Sequence, residues 1–224
     1  MKVGIIGSGV VGQTIGAKLV ERGEDVMLGT RSPGQLSDKR GMGAPLADWL
    51  SRIQNRARIG TFADTAAHGE IVINATSGMA SLEALRLAGE KNLSGKILID
   101  IANPLDFSRG MPPSLSVCNT DSLGEQIQRA FPAAKVVKTL NTTTASVMVN
   151  PALVAGGDHD LFVSGNDASA KARVSELLTR WFGWRSVIDL GDITTARGTE
   201  MLLPVWVRLW GALGTPMFNF KIAR

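Results

Sequence analysis

Two short stretches of this sequence have the residue types and spacing to bind anions, and they sit about twenty positions apart. The first is Gly7-Ser8-Gly9-Val10-Val11-Gly12, and the second is Thr30-Arg31-Ser32. In the first, Gly7 permits a tight turn, and Gly9, lacking a Cβ, lets a pyrophosphate approach the backbone. Gly12 lets the following helix pack on the strand before it. The free amides of that helix start, around Ser8, Gly9, Val10 and Val11, form an anion site. The second stretch decides which dinucleotide fits. NAD sites usually carry Asp or Glu about 20 residues after the glycines to hold the ribose hydroxyls. Here Gly29-Thr30-Arg31-Ser32 offers no carboxylate. A guanidinium forms two-pronged, charge-assisted pairs with phosphate, and the hydroxyls of Thr30 and Ser32 add donors. The pattern therefore reads as NADP(H) binding. The alternative is that Arg31 stacks on the adenine or stays a solvated surface charge. Lys39 and Arg40 are candidates for a supporting phosphate contact, against plain solvation.

No other group forms a catalytic or metal-binding pattern. Cys118 is the only cysteine, no histidine lies near it in sequence, and a buried or semi-buried thiol is expected. His68 and His159 stand apart in polar contexts, and no Ser/His/Asp, Cys/His or metal-ligand spacing occurs. Lys138 is the one proton donor close to the expected nicotinamide position, and it is expected to point to solvent or to the flank of the sheet.

The elements that must position these groups follow from apolar runs and their punctuation. Lys2–Ile6 is a β-branched run suited to a buried parallel strand, residues 13–22 form an amphipathic helix stopped by Gly23, and Asp25–Leu28 is a second strand. Pro45 to Ile53 reads as a short helix and Arg58 to Phe62 as a third strand. Further strands are expected at 70–74, 96–101, 135–140, 160–164 and 185–190. Helices are expected at 81–90, 122–131 and 167–181. Strand ends at Asn74-Ala75-Thr76-Ser77, Ala102-Asn103-Pro104-Leu105 and Asn141-Thr142-Thr143-Thr144 join the glycine loop at one ligand edge. The order is α/β: a Rossmann-type, doubly wound, mainly parallel sheet, one domain over 1–224. Residues 194–213 read as a helix with Leu202, Val205, Trp206, Leu209 and Trp210 on one apolar face. That face is a buried closing surface, a dimer seam or the wall of a second-ligand pocket.

Composition narrows the class. The 224 residues suit one well-buried domain, and 44% hydrophobic with 20% charged residues is an ordinary soluble balance. A net charge of +4 without a basic stripe gives nucleic-acid binding little support. Arg208, Pro204 and the Gly214-Thr215-Pro216 break argue against a membrane span in 201–220. The lone cysteine and a start that enters a strand without a signal-like run fit a cytoplasmic setting.

Taken together, the glycine loop, Gly29-Thr30-Arg31-Ser32, Ala102-Asn103-Pro104-Leu105, the 135–142 strand end and Ser164-Gly165-Asn166-Asp167 resemble NADP oxidoreductases of the coenzyme F420-dependent type. Asp189-Leu190-Gly191-Asp192, the apolar helix after it and a closing strand at 217–221 extend the resemblance through a small C-terminal α/β extension. It implies that 151–224 completes the deazaflavin pocket. It also implies hydride passage between NADPH and the deazaflavin ring, with alignment of two ring faces in place of side-chain acid or base. By the same resemblance Ser8, Gly9, Val10 and Val11 meet the pyrophosphate, and Thr30, Arg31 and Ser32 meet the 2′-phosphate. Ala75, Thr76 and Ser77 lie near ribose and adenine, and Asn103, Pro104 and Asn141 near the nicotinamide. Asn141 stands where characterised members carry an imidazole, and Thr143-Thr144 replaces a more apolar pair, so a flavin or small carbonyl acceptor stays open. Imine or ketone reduction, and a non-catalytic NADP(H) sensor acting through the C-terminal helix, are the other readings.

Overall fold

In a computed structural model that describes residues 1–38 and 42–224, eight strands form one sheet. They are β1 (Lys2–Ile6), β2 (Asp25–Gly29), β3 (Arg58–Gly60), β4 (Ile71–Asn74), β5 (Ile97–Asp100), β6 (Lys135–Thr139), β7 (Leu161–Ser164) and β8 (Val187–Asp189). Their spatial order is 3-2-1-4-5-6-7-8. The first six are parallel; β7 pairs antiparallel to β6, and β8 runs parallel to β7. The chain thus winds outward from β1 in both directions, and the order reverses between β1 and β4. That switch point is where ligands enter such sheets.

Consecutive residues of the central strands face opposite sides, as a two-residue period requires. Ile5, Ile73, Ile99 and Val137 enter one apolar cluster with Ile15, Leu19, Trp49, Trp181 and Trp184. Ile6, Val72, Leu98 and Val136 enter another with Phe62, Leu85, Ile127 and Ile193. Helices therefore cover both faces: α1 (Val10–Glu21), α2 (Leu46–Arg52), α7 (Ala145–Val149) and α8 (Ala168–Phe182) on one side, and α3 (Phe62–His68), α4 (Gly78–Ala88) and α6 (Leu123–Ala130) on the other. A short helix α5 (Glu90–Leu93) follows a break at Gly89, whose φ is +89°. The expected Rossmann-type architecture is present.

Four local expectations are corrected. Phe62 opens a helix and does not end a strand, because Thr61 and Asp64 form a reciprocal capping box. The single long C-terminal helix is two, α9 (Ala196–Met201) and α10 (Leu203–Leu213), joined at Leu202. Its buried residues are Ala196, Thr199, Glu200, Leu203 and Val207, whereas Leu202, Trp206 and Leu209 are half-buried and Val205 and Trp210 exposed, so this chain covers the broad apolar face only in part. Residues 217–221 form no strand: after Gly214 ends α10 at positive φ, the tail meets the start of β7 through Asp160 N–H donating to Phe220 O and Ile222 N–H donating to Asp160 Oδ2. Cys118 is exposed, because it lies in irregular chain after the small hairpin of 105–106 and 114–115, with no element over it. Among the described residues no helix is long and apolar enough to cross a membrane.

Candidate functional site

At the carboxyl ends of β1, β2 and β4 lies a groove of about 400 Å³, lined by Gly7, Ser8, Gly9, Thr30, Arg31, Ala75, Thr76 and Ser77. Eight of the fourteen residues expected to bind cofactor thus meet in one concavity. The glycines act as their spacing requires. An ideal Cβ on Gly12 would stand 2.0 Å from Gly7 O, so α1 packs too closely on the turn for any side chain there. A Cβ on Gly9 would meet nothing within 4 Å, so this glycine faces open space. Gly9 is the N-cap of α1 and no side chain caps the first turn. The unshared amides of Val10 and Val11, the first two helical residues, are the donors a pyrophosphate would accept from. The residues present therefore fit a dinucleotide phosphate.

At the groove's far rim Thr30 is buried, and its Oγ1 accepts from Ser32 N–H at 3.4 Å, which turns the chain so that Arg31 stands exposed. Among the described residues Arg31 forms no ion pair, so a phosphate has no internal partner to displace. Ser32 lies just beyond the groove lining. Lys39 and Arg40 fall outside the described residues.

Asn103, Pro104 and Asn141 do not line this groove. They form a second cluster beside it, at the ends of β5 and β6. Asn103 Nδ2 donates to Asn141 O at 2.8 Å, and Asn141 Nδ2 donates to Asn103 Oδ1 at 3.0 Å. A Cβ on Gly78 would stand 1.9 Å from Asn103 O, so the start of α4 holds this cluster against the groove wall.

Several residues of the site escape sequence reasoning. Phe62, Ala80, Glu83, Ala84 and Leu87 complete the groove lining. Their signal was the capping pattern at Thr61 and the small residues on one side of α4. Gln13, buried on α1, donates from Nε2 to Ser8 O at 3.0 Å and to Ala44 O at 2.7 Å, tying the glycine loop to the segment before α2. Lys138 overturns its expected placement. It is 1% exposed, and Nζ donates to Asp100 Oδ2 at 2.8 Å, to Glu200 at 2.7 Å and to Ala102 O. The reason is topological: β6 lies between β5 and β7 with helices on both faces, so Lys138 has no route to solvent. Burial pushes its ammonium down, but the two carboxylates outweigh this and hold it above its ordinary value.

A second, more open concavity of about 440 Å³ is lined by Glu125, Gln128, Arg129, Pro132, Asn166, Ile193 and Thr194. It opens at the opposite edge, beside the start of β6. Its charged members are already paired, Glu125 with Arg197 and Arg129 with Asp121. The candidate site is therefore the groove at the switch point.

Residues 2–104 match the family described as NADP oxidoreductase, coenzyme F420-dependent. Over its whole length the chain is similar to a candidate F420-dependent NADP-reductase of known structure from Arthrobacter sp. FB24, with 59% identity, a TM-score of 0.95 and full coverage of both chains. It is 31% identical over 212 residues to the metalloreductase STEAP3 of Rattus norvegicus; the match covers 92% of this chain, which spans 38% of that protein's length. An imine reductase of Myxococcus stipitatus solved with NADP+ shares the fold at 14% identity and a TM-score of 0.63, covering 96% of this chain and 63% of that one. The glycine groove, its basic rim and full-length similarity at 59% identity together establish that this chain belongs to the coenzyme F420-dependent NADP oxidoreductase family.

Proposed function

We propose that the protein binds NADP(H) in the switch-point groove and exchanges a hydride with a deazaflavin or flavin-like acceptor. The observation that carries the reading is the groove itself: open space at Gly9, uncapped amides on α1 and a guanidinium at Arg31 that forms no ion pair among the described residues meet in one concavity. When bound, the nicotinamide supplies the hydride and the acceptor ring takes it.

The chain's own residues bind, orient and shield. The α1 amides hold the pyrophosphate, Arg31 with the Thr30–Ser32 turn holds the 2′-phosphate, and the 75–77 turn borders the ribose and adenine. The Asn103–Asn141 pair and Pro104 form a fixed floor beside the nicotinamide. Ring-to-ring transfer needs alignment above all, and effective concentration of two bound rings supplies much of the acceleration. Residues 151–224 complete the acceptor side in this reading, where Val205, Trp210, Leu213 and Met217 present apolar surface to be covered by the acceptor or a second copy of the chain.

Imine or ketone reduction fits less well, since it needs a proton donor beside the nicotinamide. Lys138 spends all three of its N–H groups inside the protein. Stopped-flow loss of NADPH absorbance with F420, FAD, FMN, and an imine and a ketone supplied in turn tests the assignment. Turnover with F420 or a flavin is expected; turnover confined to the imine or ketone would reverse it.

A further inference from the structure

A buried polar chain runs from α9 to the cofactor groove. Glu200 on α9 accepts from Leu123 N–H at 2.8 Å and Gly124 N–H at 3.0 Å, the first amides of α6, and pairs with Lys138. Lys138 pairs with Asp100, whose Oδ1 accepts from Asn74 Nδ2 at 2.8 Å and from Ala102 N–H at 3.2 Å. Asn74 Oδ1 in turn accepts from Thr76 Oγ1 at 2.7 Å, and Thr76 lines the groove. Asn74, Asp100, Lys138 and Glu200 are each at most 1% exposed. Lys138 also donates to Ala102 O, one residue before Asn103. One ammonium therefore grips both sides of the crevice: the β4–α4 turn through Asp100 and Asn74, and the end of β5 through Ala102.

We propose that Lys138 is a positioning residue that fixes the spacing between the adenosine-side and nicotinamide-side walls of the cofactor crevice. A buried network with every donor used holds one geometry, because any displacement strands a charged group without a partner. Lys138 spends its three N–H groups on three acceptors in two segments, the 100–102 end of β5 and α9, which no neutral side chain of that volume reproduces. The inference rests on the nucleotide reading of the groove and deepens it. A ligand that touches one wall is indifferent to the spacing, whereas the whole dinucleotide spans both walls.

The test compares the folded holo-competent protein with Lys138→Met, titrated with NADPH and with 2′,5′-ADP, which carries only the adenosine half. Lys138→Met is expected to weaken NADPH at least about tenfold and to leave 2′,5′-ADP within about threefold of the parent. Because Lys138→Met leaves two buried carboxylates unpaired, the same titrations are run on the uncharged combination Lys138→Met, Asp100→Asn, Glu200→Gln, with circular dichroism to verify folding. The same split is expected there. Equal weakening of both ligands, or unchanged NADPH affinity in the folded uncharged variant, overturns the positioning role. A parent protein that binds neither ligand overturns the nucleotide reading itself, and this inference with it.

Discussion

In the proposed reading Arg31 carries the distinction between NADPH and NADH, and its replacement has a calculable cost. The guanidinium stands exposed at the rim of the groove and, among the described residues, has no carboxylate partner, so binding a phosphate breaks no ion pair. Losing one charge-assisted contact costs about 1.5–3 kcal/mol, so Arg31→Ala is expected to weaken NADPH by about 10- to 150-fold. Arg31→Asp adds repulsion. A carboxylate about 4 Å from a phosphate of about −1.5 to −2 charge, at the dielectric of water, contributes about 1.6–2 kcal/mol more. The total loss runs from about 200-fold to several thousand-fold. NADH, lacking the 2′-phosphate, is expected to change by less than about threefold in either variant. Fluorescence titration of both nucleotides against parent, Arg31→Ala and Arg31→Asp measures this directly, at fixed ionic strength because an exposed contact is screened. Equal losses for the two nucleotides, or no loss for Arg31→Ala, would refute the assignment and leave Arg31 as a stacking or solvated residue.

The remaining predictions concern the scaffold. Gly9→Ala is expected to keep the parent melting temperature and to lose at least about tenfold in NADPH affinity, since the added methyl meets only open space; Gly12→Ala is expected to lose stability instead, because its Cβ collides with Gly7 O. Calorimetry beside titration separates the two. Lys138→Met is expected to cost about 3–5 kcal/mol of unfolding free energy in urea, the cost of stripping one partner from a buried ion cluster, and less once the two carboxylates are neutralised as well. Arg129 beside Asp121 holds that carboxyl down at about 2. A carboxylate lowered on folding stabilises above its ordinary value and loses that contribution as pH falls through its folded value. Urea titrations from pH 5 to pH 2 should show a decline that is shallower in Asp121→Asn, by under about 1 kcal/mol because the pair is partly solvated. Asp160→Ala is expected to speed amide exchange across residues 217–224, since Asp160 anchors Ile222 N–H and Ser186. Unchanged exchange there would place the tail's anchor elsewhere.

What sequence revealed and what it hid divides along a physical line. The glycine loop, the basic rim and all eight strands of the sheet were readable because each rests on a few adjacent residues: Gly7, Gly9 and Gly12 obey short-range sterics, and runs such as Ile71-Val72-Ile73 bury both faces. Helix α3 was hidden only by the apolar look of Phe62, although Thr61-x-x-Asp64 already carried the cap. What covers the apolar face of α10 stayed open for another reason. Helical periodicity says that an apolar stripe exists and not what covers it, and here Val205 and Trp210 face outward.

Lys138 marks the deeper limit. A lysine in a β-branched run reads as an edge position or a flank, since an unpaired buried ammonium is prohibitively costly. The strand order removes that option, because β6 is interior and covered on both faces. Burial then demands counter-charges, and the fold supplies Asp100 from the neighbouring strand and Glu200 from a helix sixty-two positions further along. Topology could have been reasoned from the alternation of elements, and the need for a partner from the topology. The identity of the partner could not, because Glu200 reaches Lys138 through the docking of α9 on α6, which no local pattern encodes. The residue that looked least suited to the interior is the one that joins the C-terminal helices to the walls of the cofactor groove.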